Sequence, residues 1–146
     1  MSKSVSELAD LLFAYYPKMR KLYRSLVSIK DIPISMTQLT CIYIIDRHDG
    51  LSMSELADDL CMSNQQLTKI VDALVELQLV ERVCDPANRR KFFAKSTEKG
   101  KTMLANLKTE VERKLGYVLH KKSPDEIDKL YESFAYVASY LGFKNE

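Results

Sequence analysis

The chain has 146 residues, 46% of them hydrophobic and 29% charged, enough for one domain with a buried core and too apolar for a disordered segment. Its formal net charge is +2 and its isoelectric point about 8.3, below the range above about 9 expected where a nucleic-acid footprint dominates a domain. Four glycines and four prolines exclude collagen-like and low-complexity chains, and charges interrupt every apolar run short of the roughly 20 residues that cross a bilayer. An opening Met1-Ser-Lys-Ser without an apolar core predicts a cytoplasmic protein with no membrane partner.

Helix starts are written as capping boxes, in which a Ser hydroxyl accepts from an early backbone amide while Glu or Gln three residues on reaches back. Five pairs have this spacing: Ser4 with Glu7, Ser35 with Gln38, Ser52 with Glu55, Ser63 with Gln66, and Ser123 with Glu126. The first predicts a helix over 4–28 with Leu8, Leu11, Leu12, Tyr15, Met19, Leu22 and Leu26 on one face, bent or split by Pro17 near Tyr16. The second predicts a helix over 35–47 that is apolar nearly all round, and so central and buried. A short helix over 52–60 and a longer one over 63–77 are separated only by Cys61 and Met62, the spacing of a helix-turn-helix.

After Leu77 the pattern changes. Leu79 to Cys84, the turn formers Asp85-Pro-Ala-Asn, and Arg89 to Lys95 read as a β-hairpin with a charged tip. Thr97 caps a long helix to about Leu119, and Ser123 opens a last one carrying Ile127, Leu130, Phe134, Val137 and Leu141. The fold class is therefore mainly α, six helices and one small hairpin.

Charge is unevenly distributed. From Arg82 to Lys101 seven basic residues face only Asp85 and Glu98, whereas from Leu51 to Leu77 the acids Glu55, Asp58, Asp59, Asp72 and Glu76 face a single Lys69. On the 63–77 helix, Leu67, Ile70, Val71 and Leu74 define a buried face, which sends Gln65 and Lys69 outward with Gln66 and Thr68 on the flanks. Gln pairs bidentately with adenine, Thr touches base edges or a thymine methyl, and Lys reaches guanine or phosphate, so these first two turns form a DNA-reading set. Cys41, Cys61 and Cys84 are an odd number without metal-ligand spacing, and only His48 and His120 are available to join them, so neither a disulfide framework nor a metal site is expected. No Gly-rich phosphate loop and no Ser or Cys paired with His by a recognisable motif is present, so no enzymatic activity and no cofactor are expected.

From Ser35 to Gly100 the sequence resembles the MarR family of winged helix-turn-helix transcriptional regulators. The resemblance is carried by Met36-Thr-Gln-Leu, Met53-Ser-Glu-Leu-Ala-Asp-Asp-Leu, Leu67-Thr-Lys-Ile-Val-Asp-Ala-Leu, Leu79-Val-Glu-Arg, Asp85-Pro-Ala-Asn-Arg-Arg and Ser96-Thr-Glu-Lys-Gly. It departs at Asn88, where an acid is frequent, at Ser96, where Leu is usual, and at Cys61 and Gln78, where Gly is common. A helix ending at Gln78 calls for left-handed backbone, which Gln adopts less freely than Gly. The resemblance implies a winged helix-turn-helix over 35–100, flanked by dimerisation helices over 1–34 and 101–146. It implies a homodimer on double-stranded DNA, touched by Ser63, Asn64, Gln65, Gln66, Thr68 and Lys69 and by Arg89, Arg90 and Lys91 of the wing, with Arg90 also holding the wing through an acidic partner. It implies further a small phenolic or anionic effector in a crevice near Tyr15 and Tyr43. The alternative is a winged-helix module that binds protein and does not read DNA, suggested by the near-neutral charge and the acidic helix-turn-helix.

Overall fold

A computed structural model describes residues 4–27, 33–48, 51–88 and 91–140. Its elements are α1 (Val5–Leu26), α2 (Met36–Arg47), β1 (Leu51–Ser52), α3 (Met53–Asp59), α4 (Asn64–Glu76), β2 (Val80–Cys84), β3 (Phe92–Ser96), α5 (Glu98–Leu119) and α6 (Pro124–Tyr140). All five expected capping boxes are formed, each with the Ser oxygen accepting from the third residue's amide and the Glu or Gln oxygen accepting from the Ser amide. The expected first-helix end at Ser28 and the last-helix Leu141 lie outside the described residues.

Two expectations are refined. Of the two outcomes expected at Pro17, the split does not occur, since α1 runs unbroken through it; a proline removes one donor, and on an exposed stretch the carbonyl left over stays open to solvent. The expected two-stranded hairpin is part of a three-stranded antiparallel sheet of order β1-β3-β2, with Leu51 opposite Ala94, Val80 opposite Ser96 and Cys84 opposite Phe92. A two-residue strand has no alternation to detect.

The buried core comes from α2 (Leu39, Cys41, Ile42, Ile45), α3 (Leu56, Ala57), α4 (Leu67, Val71, Leu74), Leu79, Val80, Ala94 and Met103. The helix α2 is central but not apolar all round in its setting, since Tyr43 is 52% exposed. Neither α1 nor α6 buries a residue.

Two helix ends explain the departures from the glycine pattern. Gln78 has φ 59° and Cys61 φ 50°. At the end of α4 the Gln78 amide donates to Val75 O and the Leu79 amide to Leu74 O, both at 2.9 Å; at the end of α3 the Cys61 amide donates to Asp58 O and the Met62 amide to Ala57 O, both at 3.0 Å. These are Schellman closures with a left-handed residue after the cap, the place where glycine costs least.

Candidate nucleic-acid interface

The buried side of α4 is fixed by Leu67, Val71 and Leu74, each fully inaccessible. The opposite side carries Asn64, Gln65, Gln66, Thr68 and Lys69, all exposed, behind the exposed cap Ser63. These residues are not equivalent. Gln66 Oε1 accepts from the Ser63 amide at 3.0 Å and from Ser63 Oγ at 3.1 Å, so its carbonyl closes the helix start. The Thr68 hydroxyl donates to Asn64 O at 2.8 Å within the same helix. Gln65 and Lys69, one turn apart, make no such bond among the described residues, which leaves their full donor and acceptor capacity on the surface.

The acids counted along the helix-turn-helix are partly spoken for. Asp72 on α4 pairs with Arg82 on β2 at 2.7 Å, a contact that ties helix to wing strand and that neither charge count revealed. Glu55 accepts from the Ser52 amide at 2.9 Å and from Ser52 Oγ at 2.6 Å. Those bonds hold its carboxyl below the usual carboxylate range, with Lys91 and His48 adding attraction. Lys91, at the wing turn, leads into β3, whose Phe93 pairs with Ser52 at the start of α3. Glu76, in the last turn of α4, is exposed.

The wing turn is tied by its backbone. The Asp85 amide donates to Lys91 O at 3.0 Å and the Lys91 amide to Asn88 O at 2.8 Å, while Asp85 Oδ1 accepts from the Ala87 amide at 2.8 Å, an Asx turn. Lys91 is exposed; Arg89 and Arg90 lie outside the described residues.

A cleft of about 500 Å³ opens between α1, α2 and α5, lined by Tyr23, Leu39, Tyr43, Asp46, Arg47, Lys101, Leu104, Leu107 and Lys108 among others. It contains Tyr43 but not Tyr15, which sits on α1 with the Lys18 ammonium 5.0 Å from its ring centre. Tyr23, two turns further along α1 and outside the apolar face expected of that helix, occupies the wall instead. Burial pushes the Cys41 thiol up to about 12, while Cys61 and Cys84 are exposed and in no disulfide. Among the described residues there is no group of His, Cys, Asp and Glu placed to hold a metal ion, and no helix is long and apolar enough to cross a membrane.

Known proteins share this fold. Residues 34–92 match the sequence profile of the MarR family. The chain is 26% identical over 110 residues, 75% of its length and 69% of the other's, to YfiV of Bacillus subtilis (strain 168), an uncharacterized helix-turn-helix-type transcriptional regulator. The fold superposes on RV1404 from Mycobacterium tuberculosis with a TM-score of 0.83 at 19% identity, covering 99% of both chains. It superposes on a MarR-like transcriptional regulator from Thermotoga maritima with a TM-score of 0.67 at 27% identity, covering 98% of this chain and 100% of that one. Residues 34–92 thus carry a match to the MarR family, and the flanking helices extend a fold shared with solved proteins of that kind.

Proposed function

We propose that the chain binds a pseudo-palindromic operator as a homodimer and is released from it by a small phenolic or anionic molecule held in the cleft beside Tyr43 and Tyr23. The observation that carries the reading is the outward pair Gln65 and Lys69 on the first two turns of α4, the end of a recognition helix that meets base edges. Ser63, Asn64, Gln66 and Thr68 surround that pair, and Arg89, Arg90 and Lys91 extend the contact to phosphate or to the minor groove through the wing. A protein-binding face in the same place would call for aromatic anchors rather than Gln, Thr and Lys.

Dimerisation is supported by the flanking helices, assigned here to residues 1–34 and 101–146. Leu12 and Phe134 are 55% and 56% exposed in the single chain, at the centre of apolar faces on α1 and α6 too large for a soluble monomer to leave open. A twofold axis then sets two recognition helices about 10 base pairs apart. In the cleft, Arg47, Lys101 and Lys108 outnumber Asp46, a balance that favours an anion.

The test is selection of duplexes from a randomised pool by the full chain, with its mass measured by sedimentation. Enrichment of an inverted repeat of that spacing by a dimer is expected. Sequence-blind binding, or a folded monomer, would refute the reading.

A further inference from the structure

The exit of α4 is received by the start of α5. Three successive carbonyls there each take a donor from that start: Leu77 O from Lys99 Nζ at 2.8 Å, Gln78 O from Thr97 Oγ1 at 2.7 Å, and Leu79 O from the Thr97 amide at 3.1 Å. Thr97 Oγ1 also accepts from the Gly100 amide at 3.0 Å as the N-cap of α5. One hydroxyl thus caps the second helix with its lone pair and fastens the first with its only proton, which fixes its rotamer.

Lys99 has a further electrostatic reason to be there. The last turn of α4 has no basic residue of its own and carries Glu76, the wrong sign for the negative end of a helix dipole. The ammonium of Lys99 supplies the missing cation from α5. Elsewhere α4 packs on α2, α3 and β2, whereas α5 packs on α1, α2 and β3, so this joint is a direct tie between them. The cleft-lining residues of α5 begin at Lys101, two positions beyond Lys99.

We propose that Lys99 is a positioning residue: it holds the C-terminal end of α4 against α5 and so sets the pose in which Gln65 and Lys69 meet the bases, without itself touching DNA. The inference rests on the reading of α4 as the helix in the groove. It makes sequence discrimination, rather than affinity for DNA in general, depend on Lys99, and it makes any shift of α5 at the cleft a shift of the reading helix.

The experiment compares the full-length wild type with Lys99→Met, which keeps the apolar stem, and Lys99→Arg, which keeps the donor. Each is titrated across a salt series with the duplex selected by the wild type and with its scrambled counterpart, and amide hydrogen exchange at residues 77–79 is measured without DNA. For Lys99→Met the expected result is about a tenfold loss on the selected duplex, with scrambled-duplex affinity, salt slope and melting temperature unchanged and exchange at 77–79 several-fold faster; Lys99→Arg restores all of these. Parallel losses on both duplexes, with the salt slope reduced by about one, would make Lys99 a phosphate contact and overturn the proposal. Unchanged discrimination would overturn it as well. Were the wild type to select no sequence, the operator reading would fall, and the exchange measurement would still decide the joint: unchanged protection at 77–79 means that Lys99 does not hold the end of α4.

Discussion

Gly100 is a point of very close backbone approach, and replacing it tests the joint between α4 and α5. A Cβ built on Gly100 lies 2.2 Å from Leu79 O, 3.2 Å from Leu79 C and 3.1 Å from Ile42 Cδ1. The Ile42 methyl can turn aside, but the carbonyl cannot: it belongs to backbone, accepts from the Thr97 amide, and follows a fully buried side chain. Opening even the 3.0 Å that real contacts hardly ever undercut requires the two segments to part by about 0.8 Å. Overpacking of that kind costs about 1–3 kcal/mol, and weakening the buried amide bond adds about 1 kcal/mol. Alanine's better helix propensity returns up to about 1 kcal/mol. Gly100→Ala is therefore expected to destabilise the protein by about 1–4 kcal/mol, which for a chain of this size lowers the melting temperature by roughly 2–16 °C. The assay is thermal and urea unfolding by circular dichroism at one fixed protomer concentration, because the proposed dimer would make both midpoints concentration-dependent. Gly116→Ala is the internal control: nothing lies within 4 Å of its Cβ in the single chain, so it should stabilise by up to about 1 kcal/mol, unless a partner helix covers that face. A Gly100→Ala protein that melts within 1 °C or so of the wild type would refute the close approach and with it the rigidity of the joint.

Three further outcomes follow from the same geometry. Gln78→Gly, at φ 59° on an exposed position, should raise stability by about 0.5–1 kcal/mol by relieving left-handed strain; a decrease in the urea midpoint would show that the Gln side chain contributes more than its backbone costs. Thiol titration of the native protein should modify Cys61 and Cys84 rapidly and Cys41 only on unfolding, since burial disfavours the thiolate of Cys41; three equally fast thiols would contradict the packing of α2. Gln65→Ala should lose about 1–3 kcal/mol on the selected duplex and little on a scrambled one, whereas Glu76→Ala should leave discrimination intact and tighten both slightly. Equal losses for Gln65→Ala in competition binding would mean that a different face of α4 reads the bases.

What the sequence made legible was whatever is local. Capping boxes are complete within four residues, so all five were readable and all five formed. The left-handed turn at Gln78 was readable because a helix end constrains one residue's backbone. What stayed hidden depends on contacts between distant segments. β1 exists only because β3 passes beside Leu51 and Ser52, and the pairing of Asp72 with Arg82 joined two residues that had been counted in opposite charge balances. Gln66 fits two patterns at once, capping-box partner by its spacing from Ser63 and DNA contact by its place on α4, and its Oε1 is used by the cap. Tyr15 and Tyr23 share a helix, and the second, outside the apolar face expected of α1, lines the cleft.

The Asp72–Arg82 pair bears on how a nearly neutral chain binds a polyanion. Both side chains are partly exposed, 35% for Arg82 and 49% for Asp72, so the bond itself contributes no more than about 1 kcal/mol to folding. Its larger consequence is electrostatic, because it cancels a carboxylate on the recognition helix that would otherwise repel phosphate. If cancelling Asp72 is the role of Arg82, Arg82→Ala weakens selected and scrambled duplexes alike by exposing that carboxylate, and adding Asp72→Asn removes the defect. If instead Arg82 grips a phosphate, the double variant stays as weak as Arg82→Ala, and the salt slope falls by about 0.9 for the lost contact. A double-mutant cycle on the two duplexes at several salt concentrations separates the cases. Cancellation is expected, since the Arg82 guanidinium is already held at 2.7 Å by Asp72; failure of Asp72→Asn to rescue would place Arg82 on the DNA backbone and leave the acidity of α4 to be offset by Lys69 and the wing.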